Sequence, residues 1–144
     1  MAKKITAVLL VIMMVFSFTP VASAAKPAKT FTCNLTSIEG MTATFDVAWS
    51  NYRAYSSAAY AQCYYDAAGT QYTGYMIGMG DVVHDGKVHK TYSVTGCTVV
   101  FGQNALIDER VQPISGKYCK IIVHLYDRKR DSFVYAESNV MQIP

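Results

Sequence analysis

The sequence predicts an all-β fold: a single antiparallel β-sandwich of about seven short strands. Three observations predict it. Short runs alternate apolar and polar residues, the period of a strand with one buried face. Turn signals separate those runs, at Glu39-Gly40, Ala67-Ala68-Gly69 and Asp85-Gly86. No helical stripe is convincing after residue 24, outside an ambiguous stretch over 97–116. A closed barrel shares these cues and stays open as an alternative. At 144 residues, 51% apolar and 16% charged, the chain has the length and composition of one folded domain.

Residues 1–24 read as a secretory signal peptide. Lys3 and Lys4 give a basic start, Ile5 to Phe18 an apolar core, and Ala22-Ser23-Ala24 a small-x-small cleavage pattern after Pro20. The apolar core is shorter than the roughly 20 residues a bilayer span needs. The expected product is secreted, or periplasmic in a Gram-negative source, with no membrane attachment after cleavage. Cleavage after Ala24 takes Lys plus Arg from 13 to 11 against 10 acidic residues, so the net charge falls from +3 to +1. A nucleic-acid partner thereby loses its electrostatic support. The remaining basic run, Arg128-Lys129-Arg130, lies between Asp127 and Asp131 and reads as a solvated turn.

Residues 25–30 read as a disordered lead and 31–144 as the β-sandwich domain. Phe31, Cys33 and Leu35 alternate with polar neighbours, and Gly40 turns the chain. Met41, Ala43, Phe45, Val47 and Trp49 then share one face, the clearest strand in the sequence. A polar loop is expected over 50–57, a further strand over 58–66, and a return strand over 71–79 in which Gly74, Gly78 and Gly80 mark bulges. Val88, Tyr92 and Val94 mark another strand after Asp85-Gly86. Within 97–116, Cys97 to Phe101 fits a strand, while Asn104 fits the cap of a short helix that Pro113 stops. Tyr118 to Tyr126 and Ser132 to Ile143 form a last hairpin, with Cys119, Ile121, Val123 and Leu125 on one face.

At this level Phe45-Asp46-Val47-Ala48-Trp49 resembles the second strand of fibronectin type III and related immunoglobulin-like sandwiches, which ends in a core tryptophan. Tyr60 to Asp66 followed by Gly69 resembles their third strand and turn. Pro113 to Tyr118 is similar to the proline and tyrosine leading into their penultimate strand. The resemblance implies a sandwich architecture. Lys120 and His124 depart from it, standing where the family keeps apolar residues, and the region from Gly80 to Gln112 is expanded. Function does not travel with such a fold.

All four cysteines, Cys33, Cys63, Cys97 and Cys119, follow the leader. An even count in an exported chain implies two disulfides, with three possible pairings. Cys97–Cys119 and Cys33–Cys63 are the expected pairs, the first clamping the connection between two strands by about 3 kcal/mol. No C-x2-C knuckle supports zinc. The weak metal candidates are His84, His89 and Asp85, with Asp81 nearby. A polar loop without metal is the simpler reading, and no cofactor is expected.

Catalysis has little support. There is no G-x-S-x-G elbow, and Glu39, Glu109 and Glu137 are scattered. The compositional anomaly is tyrosine, with 11 in the chain. Tyr52, Tyr55, Tyr60, Tyr64, Tyr65, Tyr72 and Tyr75 crowd one segment, and each offers an apolar ring with a polar tip. Tyr60, Tyr64, Tyr72 and Tyr75 are expected to form a platform across neighbouring strands. The expected function is a secreted, non-enzymatic module that binds a protein or glycan there. The alternative is a secreted inhibitor or effector acting through the loops of 80–112.

Overall fold

The structure, a computed structural model, describes residues 25–83 and 87–144. Its strands are β1 (Thr30–Glu39), β2 (Thr42–Tyr64), β3 (Tyr72–Val83), β4 (His89–Val100), β5 (Asn104–Ile107), β6 (Arg110–Pro113), β7 (Tyr118–Asp127) and β8 (Ser132–Gln142). All pairings are antiparallel. Eight strands among the described residues replace the expected seven or so. Six belong to one sheet, and β5 with β6 forms a separate ribbon.

β1 and β2 make the expected hairpin. Gly40 turns it at a φ of 56°, a backbone region that costs glycine no steric clash. Phe31 faces Trp49, Cys33 faces Val47 and Leu35 faces Phe45, so the alternation seen in the sequence becomes one buried face. The loop expected over 50–57 is absent. β2 instead runs for 23 residues and changes partners across that segment. Its first part lies between β1 and β4, its second between β3 and β7. Asn51 marks the corner with a φ of 62°, and its Nδ2 donates to the Ala28 carbonyl at 2.6 Å. Asparagine is among the few side chains that tolerate this conformation. Ala54 reaches the core from this corner and Tyr52 packs against it, but Ser50, Asn51 and Arg53 around them are polar, which made the segment resemble a loop.

The two arms of β2 close on a single core. Phe45, Val47 and Trp49 from one arm belong to the same buried cluster as Ala59, Ala61, Cys63, Ile121, Val123 and Leu125 from the other. At one margin the Asn139 side chain of β8 bonds the β1 backbone. Leu35 N–H donates to Asn139 Oδ1 at 2.8 Å, and Asn139 Nδ2 donates to the Leu35 carbonyl at 3.0 Å. A single amide thus satisfies one residue of an otherwise open strand edge. At the other margin β3 meets the end of β4 through a bridge between Gly78 and Phe101. A Cβ on Gly78 would lie 2.7 Å from the Val100 carbonyl oxygen, and one on Gly80 would lie 2.8 Å from that of Thr98. These glycines let two backbones touch. Of the three glycines expected to mark bulges, Gly78 stands beside the register shift between Ala61 and Gln62 and Gly74 lies within that between Gln62 and Tyr64, whereas Gly80 pairs regularly with Ala59.

Residues 104–113 form the β5–β6 hairpin, not a helix. Its two-residue turn puts Asp108 and Glu109 at φ values of 50° and 62°. Such turns usually carry Asn-Gly or Asp-Gly, and without glycine the sequence gives no hairpin signal here. Tyr65 holds the turn, its hydroxyl donating to Asp108 Oδ2 at 2.5 Å. That bond, together with desolvation, raises the Tyr65 hydroxyl to about 12.

The expected disulfides are not present: all four cysteines are unbonded. Nor does the topology favour the expected pairs. Cys63 and Cys119 face each other in register across β2 and β7, while Cys97 faces Phe45 and Cys33 faces Val47. Spacing along the chain did not reveal this, because β7 pairs with β2 across the intervening strands β3 to β6. Burial pushes the Cys119 thiol up to about 12, with the neighbouring Cys63 adding to it, and burial likewise raises Cys33 to about 12, with Cys97 contributing.

Two outcomes follow for stability. Gly78→Ala is expected to lower the unfolding free energy by about 1–3 kcal/mol, read from urea midpoints, because the added methyl meets backbone rather than a movable side chain. The thiols hold their protons in the fold, so their contribution is intact below about pH 8.5 and is lost as pH rises towards 12. Urea midpoints should therefore fall on alkaline titration, and Cys119→Ala should flatten that fall. Alkylation mapping should label Cys63 and Cys119 only after unfolding.

Candidate functional site

The second arm of the sheet presents an outer face on four adjacent strands, in the order β3, β2, β7, β8. Alternation decides which residues reach it. Ala59, Ala61 and Cys63 point into the core, so Tyr60, Gln62 and Tyr64 point out. On β7, Cys119, Ile121, Val123 and Leu125 point in, leaving Lys120, Ile122, His124 and Tyr126 on the outer side. Lys120 and His124, which departed from the immunoglobulin-like pattern, are therefore face residues rather than misplaced core.

Register builds an aromatic row. Tyr60 stands between Met79 of β3 and Ile122 of β7. Its ring lies 5.0 Å from His124, and His124 lies 5.9 Å from Tyr135 and 6.4 Å from Phe133. Phe133 packs edge-on against Tyr126 at 5.2 Å, and the Tyr126 hydroxyl donates to Asp131. Centroid separations of this order are typical of mutually supporting rings. The outermost members are open to solvent: Met79 is 63% exposed, Phe133 64% and Tyr135 67%. Met76, opposite Gln62, is also exposed.

One end of this face is covered. The loop over 66–71 is tied together by Asp66, whose carboxylate accepts from Thr70 N–H, Thr70 Oγ1 and Gln71 N–H. These bonds hold the Asp66 carboxyl below the usual range. Gly69, at a φ of 64°, lies where a Cβ would come within 2.6 Å of Val140 and 3.0 Å of Lys120. Lys120 Nζ donates to the Gly69 carbonyl at 3.3 Å and to Glu137 Oε2 at 2.9 Å, and it lies 5.0 Å over the Tyr64 ring. Beneath this cover Tyr64 is only 7% exposed, its hydroxyl donating to Gln62 Oε1 at 2.8 Å. Burial raises the hydroxyl pKa of both Tyr64 and its neighbour Tyr72, Lys120 opposing that rise at Tyr64.

The four expected platform residues thus separate. Tyr60 and Tyr72 lie on the outer face, and Tyr64 lies there too but is buried beneath Lys120, which the loop holds through Gly69, and beside Tyr72. Tyr75 belongs to the opposite side and packs against the core. The parts that sequence reading missed are Met76, Met79, His124, Phe133 and Tyr135. Their only signal was alternation opposite a buried set, which becomes readable once β7 is known to pair with β2. Elsewhere, Tyr52 packs against the core and Tyr65 holds the β5–β6 turn.

Of the weak metal candidates, His84 and Asp85 lie outside the described residues. His89 begins β4, where its ring packs 4.6 Å from Tyr92 and its carbonyl accepts from Trp49 Nε1 at 3.2 Å. No group of three or more His, Cys, Asp or Glu able to hold a metal occurs among the described residues. Glu39, Glu109 and Glu137 stay apart, at the end of β1, the β5–β6 turn and the outer face of β8. No described helix is long and apolar enough to cross a membrane.

Neither a scan against protein-family models nor a search of curated proteins returned a match. The assignment of function therefore rests on this geometry.

Gly69→Ala tests the cover. Adding a methyl against Val140 in a left-handed backbone should lift the loop, cost about 1–3 kcal/mol and expose Tyr64 to solvent, read as increased quenching of tyrosine fluorescence by acrylamide.

Proposed function

We propose that the protein is an exported, non-enzymatic binding module whose outer β3–β2–β7–β8 face takes another protein. The supporting observation is the row of Met79, Tyr60, His124, Tyr135 and Phe133 on adjacent strands, in which Met79, Tyr135 and Phe133 are open to solvent and Tyr60 and His124 are half-buried between them. Exposed apolar side chains gathered on one surface mark recognition sites, and Tyr, Phe and Met are the residues enriched there. The mixture favours a protein over a glycan. Sugars select flat rings, whereas Met76 and Met79 supply pliant side chains suited to an uneven partner surface. Export is supported by residues 1–24 alone, since the cysteines are unbonded.

In the same reading the finer architecture is an immunoglobulin-like sandwich whose layers are the two arms of β2. The shared core and the burial of Trp49 support it. Trp49 lies within β2 rather than at its end, a departure from the pattern that suggested the family.

A second reading, an inhibitor or effector acting through 80–112, is favoured by one observation. The β5–β6 ribbon carries Leu106 and Val111 exposed, Val111 at 75%. Two pairs of substitutions that each introduce negative charge separate the readings. Met79→Glu with Tyr135→Glu should weaken binding to a partner recovered from the secreted milieu by about a hundredfold or more, as charge placed in an apolar contact does, with the melting temperature retained. Leu106→Glu with Val111→Glu should leave it unchanged. The reverse pattern selects the ribbon, and a glycan array bound by wild type but not by the first variant selects a sugar. If Tyr60→Ala and Tyr135→Ala alter only stability and never binding, the platform reading fails.

A further inference from the structure

Four segments far apart in the chain meet at the end of the molecule where β7 turns into β8. They are the lead with Lys26 and Lys29, the β2 corner with Asn51 and Arg53, the start of β4 with Val88 and Lys90, and the turn with Arg128 and Lys129. They surround two adjoining open depressions, of about 270 and 500 Å³, that share Arg53 and Lys129 in their walls. Six of the 13 Lys and Arg of the chain line this surface. The basic run that reads as a solvated turn is one side of a larger basic concavity.

The concavity is held in place by bonds below it. Asp127, the single carboxylate among the described wall residues, is buried and accepts from Lys29 Nζ at 2.8 Å and from Lys129 N–H at 3.2 Å, with Arg130 Nε 3.9 Å away. Burial alone would raise its pKa; the Lys29 bond and the Lys129 N–H outweigh it and hold the carboxyl below the usual range. Arg128 N–H donates to the Arg53 carbonyl at 3.0 Å, joining two of the segments. Lys29 also lies 4.5 Å over the Tyr52 ring. Asp127 thus neutralises Lys29 at the floor. Around the rim, Lys26, Arg53, Lys90, Arg128 and Lys129 have no carboxylate at ion-pair distance among the described residues.

We infer that this concavity binds a compact soluble anion carrying several phosphate groups. Like charges gathered in a recess repel one another and focus their field outward, an arrangement stabilised by a multiply charged anion. Guanidinium forks from Arg53 and Arg128 suit paired phosphate oxygens, and the lysines add point charges that tolerate varied positions. Cations on opposite sides of the depression demand charge at more than one point of the ligand. No ring among the described wall residues offers a stacking surface for a base, which disfavours single-stranded nucleic acid. The concave shape disfavours a flat lipid headgroup layer. This site is separate from the aromatic face and does not depend on it.

Sodium tripolyphosphate, titrated calorimetrically into the full mature chain at low ionic strength, tests the inference. Saturable binding is expected, weakened steeply by salt. Arg53→Glu with Lys129→Glu should reduce affinity by about a hundredfold or more, since each charge-assisted bond is worth about tenfold or more. Arg110→Glu, a charge reversal on the β5–β6 ribbon, should change it less than about threefold. A melting temperature near wild type shows that the double variant is folded; if it is not, Arg53→Gln with Lys129→Gln takes its place. No binding of tripolyphosphate, or equal weakening by Arg110→Glu, overturns the site. Binding to phosphatidylglycerol vesicles without binding of tripolyphosphate overturns the compact ligand in favour of a membrane surface.

Discussion

The architecture depends on the continuity of β2. Four strands pair directly with it, β1 and β4 along its first part and β3 and β7 along its second, and β8 joins the sheet only through β7. The chain is continuous through the corner, but pairing is interrupted there, with a register shift between Ser50 and Ala54. Within each arm alternation fixes the buried face, through Phe45, Val47 and Trp49 in the first and Ala59, Ala61 and Cys63 in the second, while Ala54 is buried at the corner out of step with both. The corner itself is permitted by Asn51 in a left-handed conformation and tied down by the Ala28 carbonyl. The margins then close by local devices, an Asn139 side chain at one and glycine-to-backbone contact at the other.

Both candidate surfaces follow from this plan. The second arm lies at the front of the molecule with its inner side filled by alanines, isoleucine, valine and leucine, so its larger rings are directed outwards. Ala59 and Ala61 point inward, so alternation directs Tyr60 between them to the outer side. The basic concavity arises at the corner for a related reason. The β2 corner, the lead that caps it, the start of β4 and the β7–β8 turn all meet there, and charged residues are retained because this end lies beyond the apolar core.

Much of the fold was legible because alternation is a local property. The β1–β2 hairpin, the inward set on β7 and the last hairpin all appear as apolar residues at every second position. The β2 corner was misread because a run rich in Ser, Asn and Arg has the same appearance in a loop and in a strand that turns. The β5–β6 ribbon was misread because its turn strains Asp108 and Glu109 into positive φ without a glycine to announce it. Cysteine pairing was misread for a different reason. Neighbourhood across strands depends on which strands pair, and that Cys63 stands opposite Cys119 is a fact of sheet order.

The candidate site shows the same division. Chain order alone determined that tyrosines crowd 52–75 and that Tyr60, Tyr64, Tyr72 and Tyr75 lie on strands, since composition and period are both written residue by residue. Only tertiary structure decided that Tyr75 turns to the core, that Lys120 and Tyr72 cover Tyr64, and that Phe133 and Tyr135 join Tyr60 through His124. It also decided that Lys26, Arg53, Lys90 and Lys129 share one recess. The physical reason is that a side chain's face depends on its own strand, but its companions on that face depend on pairing between distant strands, which local pattern does not encode.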